Sequence, residues 1–262
     1  MGLPIVSADQ YANVAPVPAN GAPVAKSLSS GDEWSMAADL PRSSPLARFL
    51  KWGVMRWWRM NGWTVTGAPP PDTPKFIIAG APHTSNYDFL VFLGVVETLG
   101  LTPRYIGKHS LFRWPMRDFM LAMGGVPVDR RRHKGMVQQV VARIAEADEF
   151  ALVIAIEGTR SPTRDWRTGY YRIAEAAGIP IVCAGPDYEL KEGILGPTIW
   201  PTGDMEKDME PAIAFFKSLK PRFEEKALFP DGSGPDPQLQ AERQRARMSA
   251  GTWGSSPTEV AP

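Results

Sequence analysis

The chain has one cysteine, Cys183, and three histidines, His83, His109 and His133. A single thiol excludes an intrachain disulfide framework, and its apolar setting in Ile179-Pro-Ile-Val-Cys183 marks it as a core residue and not a nucleophile. The histidines stand far apart with no cysteine at ligand spacing, so the sequence implies no metal site. An excess of either charge is missing too: Lys and Arg number 29 against 28 Asp and Glu. That balance removes any global electrostatic case for nucleic acid. No uninterrupted apolar run reaches the length of a membrane span, and the first residues lack the basic start and apolar core of a signal peptide. The protein is therefore expected to stay on the side of the membrane where it is made.

Apolar residues make up 44% of the 262 positions, ordinary for a globular protein, and one core flanked by tails is the economical organisation. Residues 1–44 are rich in Ala, Pro, Ser and Gly without periodicity, so they are expected to form a disordered tail. From Pro230 onward Gly, Pro, Gln and Arg dominate, which predicts a second, mobile tail over 230–262. The domain between them, 45–229, opens with a segment of different character. Over 45–63, Leu46, Phe49, Leu50, Gly53, Val54 and Trp57 fall at helical spacing, and Arg48, Lys51, Arg56 and Arg59 sit between them with no acid. A basic, Trp-rich amphipathic helix of this kind belongs either on a membrane surface or against the domain.

From Lys75 the pattern becomes regular. Strand-like runs at 75–79, 104–106, 126–128, 151–156 and 179–183 alternate with helical segments near 88–99, 110–123, 135–147 and 169–177, the last stopped by Gly178. A further helix fits 208–219. Strands alternating with helices predict an α/β fold with a mostly parallel central sheet flanked by helices. No internal repeat is present.

Three stretches carry chemistry. In His83-Thr-Ser-Asn-Tyr-Asp88 the apolar run before it is broken by Gly80-Ala81-Pro82 and followed by a helix, which places His83 in a strand-to-helix loop, the edge where ligands sit in open α/β sheets. Thr84 or Ser85 can cap the helix, and Asp88 in its first turns can return to the imidazole. A carboxylate on one ring nitrogen sets the tautomer and leaves the other nitrogen to take a proton. Glu157-Gly-Thr-Arg160 directly follows a buried strand, so backbone N–H groups, a hydroxyl, a carboxylate and a guanidinium meet at one turn, which suits an anionic, hydroxylated ligand. In Gly124-Gly-Val-Pro-Val-Asp-Arg130 a strand delivers Arg130 to the same edge, where a guanidinium fork fits phosphate.

Together with Gly178-Ile-Pro-Ile-Val182, these blocks resemble in order the four blocks of the glycerolipid acyltransferases, the family of bacterial 1-acyl-glycerol-3-phosphate acyltransferases. The resemblance covers roughly residues 75–200. It implies that His83 is the catalytic base and Asp88 its orienting partner, and that Arg130, Glu157, Gly158, Thr159 and Arg160 form the acceptor site. The fourth, apolar block is linked in that family to the acyl donor or to packing. Ile156 stands where the family commonly has proline, a difference in strand-end rigidity and not in the reacting groups.

The implied reaction moves a fatty acyl group from acyl-CoA or acyl carrier protein to the hydroxyl of a lysophospholipid, with 1-acyl-glycerol-3-phosphate, giving phosphatidic acid, as the expected acceptor. The donor is a co-substrate, and no cofactor or metal is called for. A lysophospholipid hydroxyl is too weak an acid to attack a thioester unaided, so His83 would take its proton while Asp88 stabilises the imidazolium. Other lyso-lipid acceptors, a catalytically silent membrane lipid-binding protein and a hydrolase remain alternatives, although no G-x-S-x-G nucleophile elbow supports the last. Lipid substrates, combined with the basic helix over 45–63, predict peripheral or monotopic attachment at the cytoplasmic face of the cell membrane.

Overall fold

The computed structural model describes residues 45–108, 112–128 and 136–250. Its strands are β1 (Thr64–Thr66), β2 (Lys75–Gly80), β3 (Pro103–Lys108), β4 (Gly125–Val128), β5 (Phe150–Ala155), β6 (Ile181–Asp187) and β7 (Glu192–Ile199). Its helices are α1 (Pro45–Met60), α2 (Tyr87–Thr98), α3 (Arg117–Ala122), α4 (Met136–Glu146), α5 (Gly169–Ala177), α6 (Met205–Lys217) and α7 (Pro237–Ala250). The strands form one sheet in the order β1-β7-β6-β2-β5-β3-β4, parallel throughout except for the β6–β7 pair. This is the α/β class that the alternating pattern predicts.

The central strand β2 shows why the sheet forms. Ile77 and Ala79 face a cluster containing Val140 and Ile144 of α4, Tyr170 and Ile173 of α5, and Phe216 of α6. Phe76 and Ile78 face the other way, against Trp58 of α1 and Val91 and Val95 of α2. Burial on both faces explains why the strand reads as a continuous apolar run without alternation. Ile77 pairs with Leu152 on β5 and Ile181 on β6, all three fully buried, each side chain contributing about 1.5–3 kcal/mol. Gly178 ends α5 in a left-handed conformation at φ 64°, as a helix stop requires.

Several elements differ from the sequence pattern. β1 and β7 were not anticipated. Helix α3 proper spans only Arg117–Ala122, because Pro115 interrupts the expected 110–123 helix, of which residues 110 and 111 lie outside the described set. Helix α6 begins at Met205, where the Asp204 side chain accepts the Lys207 N–H at 3.2 Å and so caps it. On α1 the packed stripe is Ala47, Leu50, Val54 and Trp58, whereas Phe49 and Trp52 are 63% and 59% exposed. Trp58 and Trp63 are buried, stacked with centroids 5.5 Å apart. Beyond Pro230, where a mobile tail was expected, residues 237–250 form α7. One polar stripe docks it: Gln240 donates to the Leu219 carbonyl at 2.9 Å, Arg243 to Ser218 Oγ at 2.9 Å, and Arg247 pairs with buried Glu192.

Candidate active site

Three neighbouring strands, β6, β2 and β5, end together. The register aligns Gly80 with Ala184 and Ala155, and the pairing continues as the Ala81 N–H donates to the Ala184 carbonyl and the Ile156 N–H to the Gly80 carbonyl. The residues that follow are His83 after β2, Glu157 after β5 and Tyr188 after β6. Parallel strands in register thus deliver an imidazole, a carboxyl and a phenol to one edge from three distant parts of the sequence.

Asp88, in the first turn of α2 and only 7% exposed, organises this edge. Its Oδ2 accepts the Thr84 and Ser85 backbone N–H groups, each at 2.8 Å, and lies 3.2 Å from His83 Nδ1. Its Oδ1 accepts the Tyr188 hydroxyl at 2.6 Å. Donors on both oxygens hold the carboxylate in one orientation. With Nδ1 directed at a carboxylate, Nδ1 carries the proton and Nε2 is the basic nitrogen. The His83 side chain is 28% exposed, so it can meet a substrate. Helix capping differs from expectation here. Asn86 occupies the cap position of α2 without a side-chain cap bond, Ser85 Oγ accepts the Tyr87 N–H at 3.1 Å, and Thr84 Oγ1 accepts the Phe223 N–H at 3.4 Å.

Glu157 is 3% exposed, and its Oε1 accepts the His83 backbone N–H at 3.0 Å. Burial pushes its carboxyl up to about 7; the bond from the His83 N–H and the His83 charge oppose that rise, while the Asp88 charge adds to it. Gly158 follows at φ 68°, which opens the turn, and a Cβ there would lie 3.0 Å from the Arg167 side chain. Thr159 Oγ1 accepts the Ser161 N–H at 3.1 Å, and Arg160 is exposed. The structure therefore gathers His83, Asp88 and Glu157, with Gly158, Thr159 and Arg160 on the turn beyond. It turns the Glu157 carboxyl under the His83 loop. Arg130 lies outside the described residues.

Tyr188 was missed by sequence reasoning. Its phenol is pushed upward by burial and by the bonded Asp88 charge, so it remains a neutral donor at ordinary pH. The available signal was topological: β6 continues past the expected 179–183 to Asp187, and a parallel neighbour of β2 must end at the same edge. An aromatic contact backs the phenol, with Trp63 meeting Tyr188 edge-on at 5.2 Å. Among the described residues no cluster of His, Cys, Asp and Glu has the arrangement of a metal site.

A histidine whose Nδ1 faces a buried carboxylate at the carboxyl edge of the sheet has the arrangement that general-base chemistry uses. Residues 64–185 match the family described as Acyltransferase, a stretch that begins at β1, ends within β6 and contains His83, Asp88 and Glu157. Among solved structures it is similar to the 1-acyl-sn-glycerophosphate (LPA) acyltransferase PlsC from Thermotoga maritima. That similarity is 13% in sequence identity, covers 80% of this chain and 83% of that one, and has a TM-score of 0.42. No curated protein matches the chain in sequence.

Proposed function

We propose that this protein is an acyltransferase that esterifies the free hydroxyl of a lysophospholipid with a fatty acyl group drawn from acyl-CoA or acyl carrier protein, and that 1-acyl-glycerol-3-phosphate is its acceptor. The observation that carries this reading is the 3.2 Å approach of His83 Nδ1 to Asp88 at the sheet edge. His83 Nε2 removes the acceptor's hydroxyl proton as its oxygen attacks the thioester carbonyl, and Asp88 stabilises the imidazolium that forms. Collapse of the tetrahedral intermediate breaks the C–S bond, and the imidazolium proton neutralises the departing thiolate. The products are an ester and a free thiol, with no covalent enzyme intermediate. Glu157, bonded to the His83 N–H, holds the loop that carries the base, and Arg130 and Arg160 contribute positive charge to the acceptor site.

Lysolipid and product both reside in a bilayer, and among the described residues no helix is long and apolar enough to cross a membrane. The proposed attachment is peripheral, through the outer face of α1. Phe49 and Trp52 on that face are exposed, as are Arg48, Arg56 and Arg59, a combination that suits an anionic headgroup boundary. Lys51 pairs with Glu97 at 2.7 Å, and Trp58 and Trp63 are committed to the core, so neither the lysine nor these two rings belong to the lipid-facing set.

The test of the reaction is a donor-by-acceptor matrix on purified protein, with products resolved by mass spectrometry. Acylated lysophosphatidic acid with stoichiometric free thiol is the expected outcome. Free fatty acid released without acceptor, or no transfer to any lysolipid, would overturn the reading.

A further inference from the structure

Arg222 lies outside the stretch that matches the family, in the segment after α6, yet it stands beside the candidate active site. Its backbone is pinned there from both sides. The Phe223 N–H donates to Thr84 Oγ1 at 3.4 Å, next to His83. Two residues before Arg222, Lys220 donates its N–H to Asp187 and accepts the Tyr188 N–H at 2.8 Å. The guanidinium carbon lies 4.0 Å from the Tyr87 ring centroid and 5.8 Å from that of Tyr188, whose hydroxyl holds Asp88. A guanidinium over aromatic rings is positioned without surrendering its in-plane N–H donors. Among the described residues no carboxylate forms an ion pair with it; the nearby acid Glu224 is taken by Lys220 at 2.6 Å. Lys226, 4.3 Å from the Phe223 ring, adds a second cation to this face.

A cation fixed beside a base, with no donor bonded to another of the described residues, is arranged for an anion carried by the molecule that approaches the base. We propose that Arg222 receives the phosphoryl group of the acceptor and so selects phosphorylated lysolipids over neutral ones; this rests on the acyl transfer proposed above. The acceptor is favoured over the donor by covalent connectivity. In a 1-acyl-glycerol-3-phosphate only two carbons separate the phosphate ester from the reacting hydroxyl, whereas the phosphates of CoA lie at the far end of the pantetheine arm from the thioester. A cation close to His83 therefore meets the acceptor's phosphate. Tyr87 is then a platform for the guanidinium, and its place in the first turn of α2 ties acceptor recognition to the same loop that holds the base.

The experiment pairs a binding measurement with a kinetic one on full-length wild type, Arg222→Gln and Arg222→Lys, with circular dichroism to confirm equal folding. Calorimetric titration with glycerol 3-phosphate is expected to show affinity reduced about ten- to a hundredfold by Arg222→Gln and less by Arg222→Lys, the fork being lost but the charge kept. In acyl transfer, the KM for lysophosphatidic acid is expected to rise by a similar factor, while the KM for acyl-CoA and any transfer to neutral monoacylglycerol stay unchanged. Equal glycerol 3-phosphate binding by wild type and Arg222→Gln, or none by wild type, would overturn the assignment whatever the enzyme acylates. So would a loss confined to the acyl-CoA KM, or weaker binding of inorganic phosphate with an unchanged lysophosphatidic acid KM, which would mark a site for free phosphate. Wild type that binds glycerol 3-phosphate through Arg222 but acylates no lysolipid would instead remove the proposed reaction and leave the phosphoryl site standing.

Discussion

Replacing Glu157 by Gln separates the two things its carboxyl does. The side chain is buried and accepts the His83 N–H at 3.0 Å, a bond that an amide oxygen can also accept. Burial raises its carboxyl from 4.5 to about 7, so the folded protein binds a proton over a range in which the unfolded chain has released it. Stability contributed by this group is therefore fully present below pH 4.5 and is lost as pH rises through 7. Each pKa unit corresponds to about 1.4 kcal/mol, so ionising this carboxyl in the folded state costs up to about 3 kcal/mol at pH 8. Glu157→Gln removes that cost without removing the bond. Urea unfolding of wild type and variant at pH 5 and pH 8 is expected to show the variant gaining stability, relative to wild type, by about 2–3 kcal/mol between the two pH values. Acyl transfer by the variant should persist, because the His83 loop keeps its acceptor. A stability difference that stays flat from pH 5 to pH 8 would refute the buried, proton-binding carboxyl, and loss of turnover in folded Glu157→Gln would show that the charge itself serves the reaction.

His83→Ala and Asp88→Ala are expected to reduce acyl transfer by about a hundred- to ten-thousandfold with the fold intact by circular dichroism; near-normal turnover by folded His83→Ala protein would sink the mechanism. Tyr188→Phe strips one donor from Asp88 Oδ1, so kcat should fall roughly tenfold, equivalent to about 1.4 kcal/mol, with acceptor KM little changed; unchanged kcat would make the phenol a packing residue. Arg130→Ala and Arg160→Ala should raise the acceptor KM more than they lower kcat, and a change confined to the donor KM would contradict their placement at the acceptor. Changing Arg56 and Arg59 to Glu should weaken flotation with anionic vesicles at low salt, each basic residue contributing about 1 kcal/mol; equal flotation of variant and wild type would assign α1 to packing alone.

Local sequence was sufficient wherever one element carries its own signal. The five strands read from apolar runs and the His83–Asp88 pair were legible because strand burial and loop chemistry are written within a few residues. Strand β7 was not. Its Gly193, Gly196 and Pro197 resemble a loop, yet a Cβ at Gly193 would lie 2.1 Å from Val95 and one at Gly196 would lie 2.5 Å from the Phe215 ring. Residues that weaken a strand signal are there because α2 and α6 press against that strand, which no local pattern records. Helix α7 escaped because it docks through Gln240, Arg243 and Arg247, whose polar composition is that of a solvated segment until their partners are known. The site divides in the same way. His83 and Asp88 lie five positions apart, and their contact can be anticipated from residue type and spacing. Tyr188 joins Asp88 across 100 positions, and Glu157 reaches the His83 N–H across 74, because parallel pairing places the ends of β6, β2 and β5 side by side. Which side chains share an edge is set by strand order, and strand order depends on contacts between segments that carry no mark of one another in sequence.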